Sequence, residues 1–246
     1  MTAPLTAQRK TDVQTVSAWT ASGPGSEYAT FSPAWLLARF LKRLLPSVAL
    51  AALTVLTAAC TSFLALGPAP SRMQLIPAMP GQITNKPLNK QIIVSTPVAG
   101  SDIDSDSIAL VFNNREVHYL SGVRWSSPVP DIIQRSLIDA LAATNALRGV
   151  ADERAGIMAD ARLLCDIRQF SLHYDVPEGI PTAVAAAHFR LINLFNGSIM
   201  GMRSVSVTVP AGGRDDRALA AACEAALSRF LAEVAPWVAQ TLASVR

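Results

Sequence analysis

Ala185-Ala186-Ala187-His188-Phe189-Arg190-Leu191-Ile192-Asn193-Leu194-Phe195, then Asn196-Gly197, then Ser198-Ile199-Met200-Gly201-Met202-Arg203-Ser204-Val205-Ser206-Val207-Thr208-Val209, is the stretch that decides the fold. Asn-Gly suits the positive φ angles of a tight hairpin turn, and runs rich in β-formers lie on both sides of it. In the second run Val205, Val207 and Val209 alternate with Ser204, Ser206 and Thr208, the period of a half-buried strand. The pattern predicts two antiparallel strands, 185–195 and 198–209. A long helix follows from about Asp215. Leu219, Cys223, Ala226, Phe230, Val234 and Trp237 fall on one stripe, with Leu227, Leu231 and Val238 beside it. Pro236 is expected to kink or loosen the last turn.

Working backwards, Leu163, Cys165 and Ile167 alternate with Arg162, Asp166 and Arg168, which predicts a strand across 161–175. Ser126-Ser127-Pro128-Val129-Pro130-Asp131 reads as a helix entry, with hydroxyls for the cap, proline in the first turn and an acid near the positive end. Ile133, Leu137, Ala140, Leu141 and Thr144 then recur at helical spacing, and Asn145 suits the exit. Ile92-Ile93-Val94, Ile108–Phe112 and Glu116–Leu120 read as further extended pieces. The expected fold is α+β: one layered domain over residues 90–242, with an antiparallel-rich sheet and two main amphipathic helices packed on one face.

Residues 60–89 read as a spacer. Pro68, Pro70, Pro77, Pro80 and Pro87 remove backbone donors and favour extended chain, although Met73–Ile76 is apolar enough to lie against the domain. Before the spacer, Arg39, Lys42 and Arg43 precede the apolar stretch Leu44–Leu56, the small residues Thr57-Ala58-Ala59, and Cys60. That order is the layout of a bacterial export signal ending at a lipidation site, with Thr57 standing where leucine is usual. Residues 1–59 are then an N-terminal extension and signal peptide, and Cys60 carries the lipid. Alternatives stay open, because the uncharged run Leu44–Leu66 is long enough to span a bilayer as an uncleaved signal anchor. Cleavage at a neighbouring site and a buried helix are the others.

The net charge of +3 rests on this leader. It holds Arg9, Lys10, Arg39, Lys42 and Arg43 against Asp12 and Glu27, which leaves sixteen basic and sixteen acidic side chains beyond it. No basic stripe or aromatic platform survives, so no nucleic-acid partner is expected.

Catalytic signals are equally sparse. The sequence has no Gly-x-Ser-x-Gly elbow, no His-Glu-x-x-His helix and no glycine-rich phosphate loop before a helix. His118, His173 and His188 are far apart, without a carboxylate at ligand spacing, and read as structural rather than metal-binding. Asp215-Asp216 beside Gly212-Gly213 reads as a helix cap. Cys165 and Cys223 read as buried thiols on apolar stripes, with a disulfide as the alternative. Trp125 reads as the anchor of the first helix on the sheet, with a partner contact as the alternative. No catalytic, cofactor-binding or metal residue is expected.

The leader and Pro-rich spacer are joined by further matching pieces. These are Ile108–Phe112 leading to Glu116–Leu120 and to Arg124-Trp125-Ser126-Ser127-Pro128, the hairpin ending in Gly201-Met202-Arg203, and a final helix ending in Ala235-Pro236-Trp237-Val238. Together they resemble the ABC-type transport auxiliary lipoproteins over about residues 90–240. The Arg-Trp segment before a helix is the most specific piece.

The resemblance implies a non-enzymatic, lipid-anchored subunit on the periplasmic face of the bacterial outer membrane. Its implied partners are an MCE-domain protein and an ABC transporter permease and ATPase, acting in intermembrane lipid transport by tethering and docking. A homo-oligomer is left open. The competing class is a stand-alone structural or assembly lipoprotein of the envelope.

Overall fold

The structure is a computed structural model and describes residues 69–113 and 115–244. Among these residues nine strands and two helices follow one another. They are β1 (Ser71–Met73), β2 (Leu88–Val94), β3 (Val98–Ala99), β4 (Ser107–Phe112), β5 (Glu116–Trp125), α1 (Val129–Ala143), β6 (Leu147–Asp152), β7 (Ala161–Tyr174), β8 (Thr182–Asn193), β9 (Ile199–Pro210) and α2 (Asp216–Ser244). The class is α+β, as the sequence pattern predicts, and the sheet does not close.

β7 organises the sheet. Along one edge it pairs antiparallel with β8, from Ala161↔Asn193 to His173↔Thr182, and β8 pairs antiparallel with β9. Along its other edge it meets three strands in turn, all parallel: β2 at Ala161–Leu163, β3 at Asp166–Ile167 and β4 at Leu172–Tyr174. β6 lies parallel on β2, β5 antiparallel on β4, and β1 parallel on β5. The longest ladders are the antiparallel ones.

Alternation along β7 explains which face is covered. Ala161, Leu163, Cys165 and Ile167 are buried, and then the period slips so that Phe170, Leu172 and Tyr174 are the buried set. The slip is a bulge at Arg168, where the register with β8 moves between Ile167 and Gln169. A second irregularity lies in β5. Its pairing with β4 jumps from Tyr119 to Arg124, and Gly122 there takes φ +78°, a left-handed angle that a side chain rarely adopts. This turn sends Trp125 into the core, 1% exposed, with its ring 6.2 Å from Phe170.

Both helices lie on the covered face. Ile133, Leu137, Ala140 and Leu141 of α1 are buried, as are Leu219, Cys223, Ala226, Phe230 and Val234 of α2. Phe189 of β8 stands 5.5 Å from Phe230, centroid to centroid. The small-residue stretch of β8 serves the same packing: Ala183, Ala185 and Ala187 are all buried, which lets α2 approach the sheet closely.

Several local expectations need correction. The entry of α1 is not capped by a hydroxyl, because the N-cap position is Pro128 without a side-chain cap. Pro130 and Asp131 remain in the first turn, and the Pro128 carbonyl accepts from the Ile132 N–H at 3.1 Å. α2 runs through Pro236 to Ser244, beyond the expected loosening. β8 ends at Asn193, two residues before the expected Phe195, because the loop closes earlier. Gly197 N–H donates to Asn193 O at 2.9 Å, and Asn193 N–H donates to Ser198 O at 2.8 Å.

The Pro-rich spacer differs most from its reading. From residue 71 the chain lies along the domain as an arm. β1 joins the sheet, Leu75 is buried, and Ile76 and Ala78 N–H donate to Glu224 Oε2 and Ser228 Oγ of α2 at 3.0 and 2.9 Å. Proline does not prevent this, since Pro77 falls between the two donating residues, Ile76 and Ala78. Residues 61–68 lie outside the described part.

Candidate functional site

The sheet face away from the helices carries short polar side chains. On β9 Ser204, Ser206 and Thr208 are exposed, and on β7 and β8 this face presents Asp166, Ser171, His173, Ala186, His188 and Arg190. Hydrogen bonds tie neighbouring strands and residues together. His188 Nδ1 lies 2.7 Å from Ser204 Oγ, and His173 Nε2 lies 3.0 Å from Ser171 Oγ. Arg168, pushed outward by the bulge, donates to Asp166 Oδ2 at 2.7 Å.

Two shallow depressions adjoin Arg168. One, about 380 Å³, is lined by Asp166, His188, Arg190 and Met202; the other, about 290 Å³, by Ala109, Val111, Val117 and His173. Burial lowers the His173 pKa below the ordinary histidine value, with Asp175 opposing it. The His173–Ser171 bond lies within β7, whereas the His188–Ser204 bond links β8 to β9. No group of three His, Cys, Asp or Glu residues among the described residues is placed to hold a metal ion.

One end of the sheet is apolar instead. Beyond Asn193 the β8–β9 loop exposes Leu194 and Phe195, the latter 77% exposed, and Ile199 stands at the start of β9. Leu194 N–H donates to Asp160 O at 3.0 Å, which brings the loop before β7 alongside, with Met158 90% exposed. The loop is internally bonded. Phe195 N–H donates to Asn193 Oδ1 at 2.8 Å, Ser198 N–H donates to Asn196 Oδ1 at 3.0 Å, and Gly197 takes φ +72°. The aromatic ring is therefore presented by a formed loop.

Of the residues singled out from sequence, Cys60 lies outside the described residues. Trp125 is in the core against Phe170, as the anchor reading requires. The three histidines are not brought together. His118 does have a carboxylate neighbour that the spacing argument overlooked, with Glu116 Oε2 at 3.7 Å on the exposed rim of β5. Asp215 caps α2, its Oδ1 accepting from Ala218 N–H at 3.0 Å. Cys165 and Cys223 are free and buried. Burial drives the Cys165 thiol far above its ordinary pKa, helped by the Asp166 charge, and pushes Cys223 up to about 12.

The apolar loop is what the sequence reading missed. Leu194-Phe195 directly before Asn-Gly was readable as strand, and only the early loop closure turns the ring outward.

No helix among the described residues is long and apolar enough to cross a membrane. Residues 74–235 match the family model described as ABC-type transport auxiliary lipoprotein component. A crystal structure of a Xanthomonas campestris protein of the DUF330 family aligns with TM-score 0.64 and 23% identity, covering 70% of this chain and 97% of that one. A second solved structure, of an uncharacterized protein, aligns with TM-score 0.55 and 14% identity, covering 70% and 99%. At these identities the likeness is one of fold. No curated protein matches the sequence. The family model spans well over half of the chain, so this protein belongs to the ABC-type transport auxiliary lipoprotein component family, a class of bacterial envelope lipoproteins and not a known class of enzyme.

Proposed function

We propose that this family member is a non-enzymatic subunit that docks an ABC transport system at the outer membrane, held there by a lipid on Cys60. The family model over residues 74–235 carries the reading. The leader supports it, because a basic cluster, an apolar run and small residues precede a cysteine whose thiol can accept a diacylglyceryl group. By resemblance, the partner is an MCE-domain protein and the cargo is lipid moving between membranes. The domain contributes surface and confinement, and the energy comes from the ATPase of the transporter.

Two experiments test it. Metabolic labelling with a fatty-acid analogue should mark the wild type and leave Cys60→Ser unmarked; equal labelling of both removes the lipid anchor from the account. Cross-linking in intact cells should capture an MCE-domain protein or the permease. If the folded, lipidated protein captures no transporter component, the stand-alone envelope role replaces docking.

A further inference from the structure

We infer that the free edge of β9 pairs antiparallel with the β9 edge of a second copy, joining two sheets across a two-fold axis. The inference stands on the described residues and does not depend on the docking reading. β9 pairs with β8 alone, so its other side is an edge of the sheet. Ala211 N–H donates to Pro181 O at 2.9 Å, which continues the register Thr182↔Pro210. In that phase Arg203, Val205, Val207 and Val209 exchange backbone bonds with β8. The N–H and C=O groups of Met202, Ser204, Ser206 and Thr208 therefore point away from the sheet. No other element among the described residues bonds to them.

An open edge is ordinarily blunted by short length, a charge or proline. The other edges of this sheet follow that rule. β1 is three residues long and includes Arg72, and β6 carries Arg148 and Asp152. β9 is twelve residues long. From Ser204 to Val209 it has no charge, no proline and no break in its register with β8. All four outward-bonding residues are exposed.

The chemistry of the edge selects a second copy over a foreign strand. In reverse order, Ser204-Val205-Ser206-Val207-Thr208 repeats its own pattern. When Ser204 of one copy faces Ser206 of the other, Met202 faces Thr208, Val205 faces Val205 and Arg203 faces Val207. Hydroxyl meets hydroxyl on the polar face, valine meets valine on the helix face, and no like charges are opposed. All four outward residues are used, giving about eight bonds, two for each facing pair.

α2 adds complementary charge. Arg229, Glu233 and Trp237 recur at every fourth residue and so lie along one flank, and Trp237 is beside Gly201 of β9. Arg229 and Glu233 are exposed and form no ion pair among the described residues. The two-fold axis runs the two α2 helices antiparallel, so this flank offers opposite charges to its own reverse. Pairing consumes both β9 edges, and the assembly closes as a dimer.

The test uses the full chain as the cell processes it, in detergent micelles. Native mass spectrometry should show a dimer, and amide exchange should be slow at Ser204, Ser206 and Thr208. Ser206→Lys and Ser206→Glu each bring like charges together near the axis and should raise the dimer dissociation constant about tenfold or more. Exchange at Ser204 and Thr208 should then quicken, while Val205 and Val207, bonded to β8, stay slow and report an intact fold. Mixing the two variants should restore a dimer containing one of each. Gln169→Lys, exposed on β7 away from the edge, should leave the dimer unchanged.

A monomer with fast exchange at Ser204, Ser206 and Thr208 overturns the inference. A dimer that survives Ser206→Lys does so too, because its interface lies elsewhere, as does a failure of the mixed variants to pair. If these amides become slow only when an extracytoplasmic subunit of the transport system is added, the occupant is a foreign strand and the inference falls.

Discussion

Gly201 lies where β9 passes beneath α2, and the absence of one atom there sets the distance between them. A Cβ at this position would meet Thr241 Cγ2 at 3.0 Å and Trp237 Cζ2 at 3.3 Å. Gly201→Val should cost about 1–3 kcal/mol by overpacking, read as a lower urea midpoint without a change in slope, and Gly201→Ala less. Equal stability of the valine variant would mean that helix and strand are not held this close. The two thiols make a second test at this scale. Because burial keeps both protonated, a thiol reagent should modify Cys165 and Cys223 only after denaturation. Rapid labelling of the native domain would contradict their packing. Alternation of apolar and polar side chains made these residues readable: Cys165 and Cys223 sit on the stripes where the sequence placed them. Gly201 gave no such signal, because its need is set by a helix tens of residues away.

The arm is the element that sequence read only in part: Met73–Ile76 packs on the domain as its apolar character allowed, while the contacts before and after it were hidden, and the reason is physical. Pro77, Pro80 and Pro87 do signal extended chain, but extension is equally what a strand partner or a packed strap requires. Its contacts are with residues far along the chain: Arg72 with Asp106 at 3.4 Å, Ile83 N–H with Thr144 O at 3.0 Å, and Ile76 with Glu224. None leaves a local trace. β3 and β6 escaped for the same reason, being short and held by parallel pairing to non-adjacent strands. Removing residues up to Lys90 would delete β1, expose the Leu75 site and cut β2. The truncated domain should aggregate or lose about 3 kcal/mol or more, and restoring 71–89 should rescue it, measured by cooperative thermal unfolding. A stable domain starting at Lys90 would return the arm to the status of a loose spacer.

Acid should loosen the arm first. The Asp106 carboxyl is held below its usual value of 3.8, chiefly by the hydrogen bond from Arg124 at 2.7 Å, with the Arg124 and Arg72 charges adding to it and desolvation opposing. Since the folded pKa is depressed, this contribution is present above the unfolded value and is lost as pH falls below it towards the folded one. Hydrogen exchange in β1 should rise over that range in the wild type, and Asp106→Asn should show the faster exchange already at neutral pH. Exchange independent of pH in both proteins would detach Asp106 from the arm.

At the scale of the molecule, one packed arm changes how much chain separates Cys60 from the sheet. Alternation and the Asn-Gly signal disclosed the β7–β9 core and the helix across it. The use of β7 as a hub for three parallel strands was hidden, since it depends on pairings no local pattern encodes. That hub holds the chain from Ser71 onward against the domain, which leaves residues 61–70 between Cys60 and the first paired strand. On the proposed lipidation of Cys60, confinement near the membrane would raise the domain's effective concentration for a partner there, without any new contact. Lengthening the interval between Cys60 and Ser71 threefold with Gly-Ser repeats, a long leash, should reduce that concentration about fivefold, by the −3/2 power of length, while Cys60→Ser should remove the confinement altogether. Partner occupancy at limiting protein, measured by cross-linking in intact cells, should therefore fall in the order wild type, long leash, unanchored. The soluble domain should still bind the isolated subunit with unchanged intrinsic affinity, because its folded surface is intact. If all three give the same occupancy in cells, confinement contributes nothing and the domain works through its surface alone.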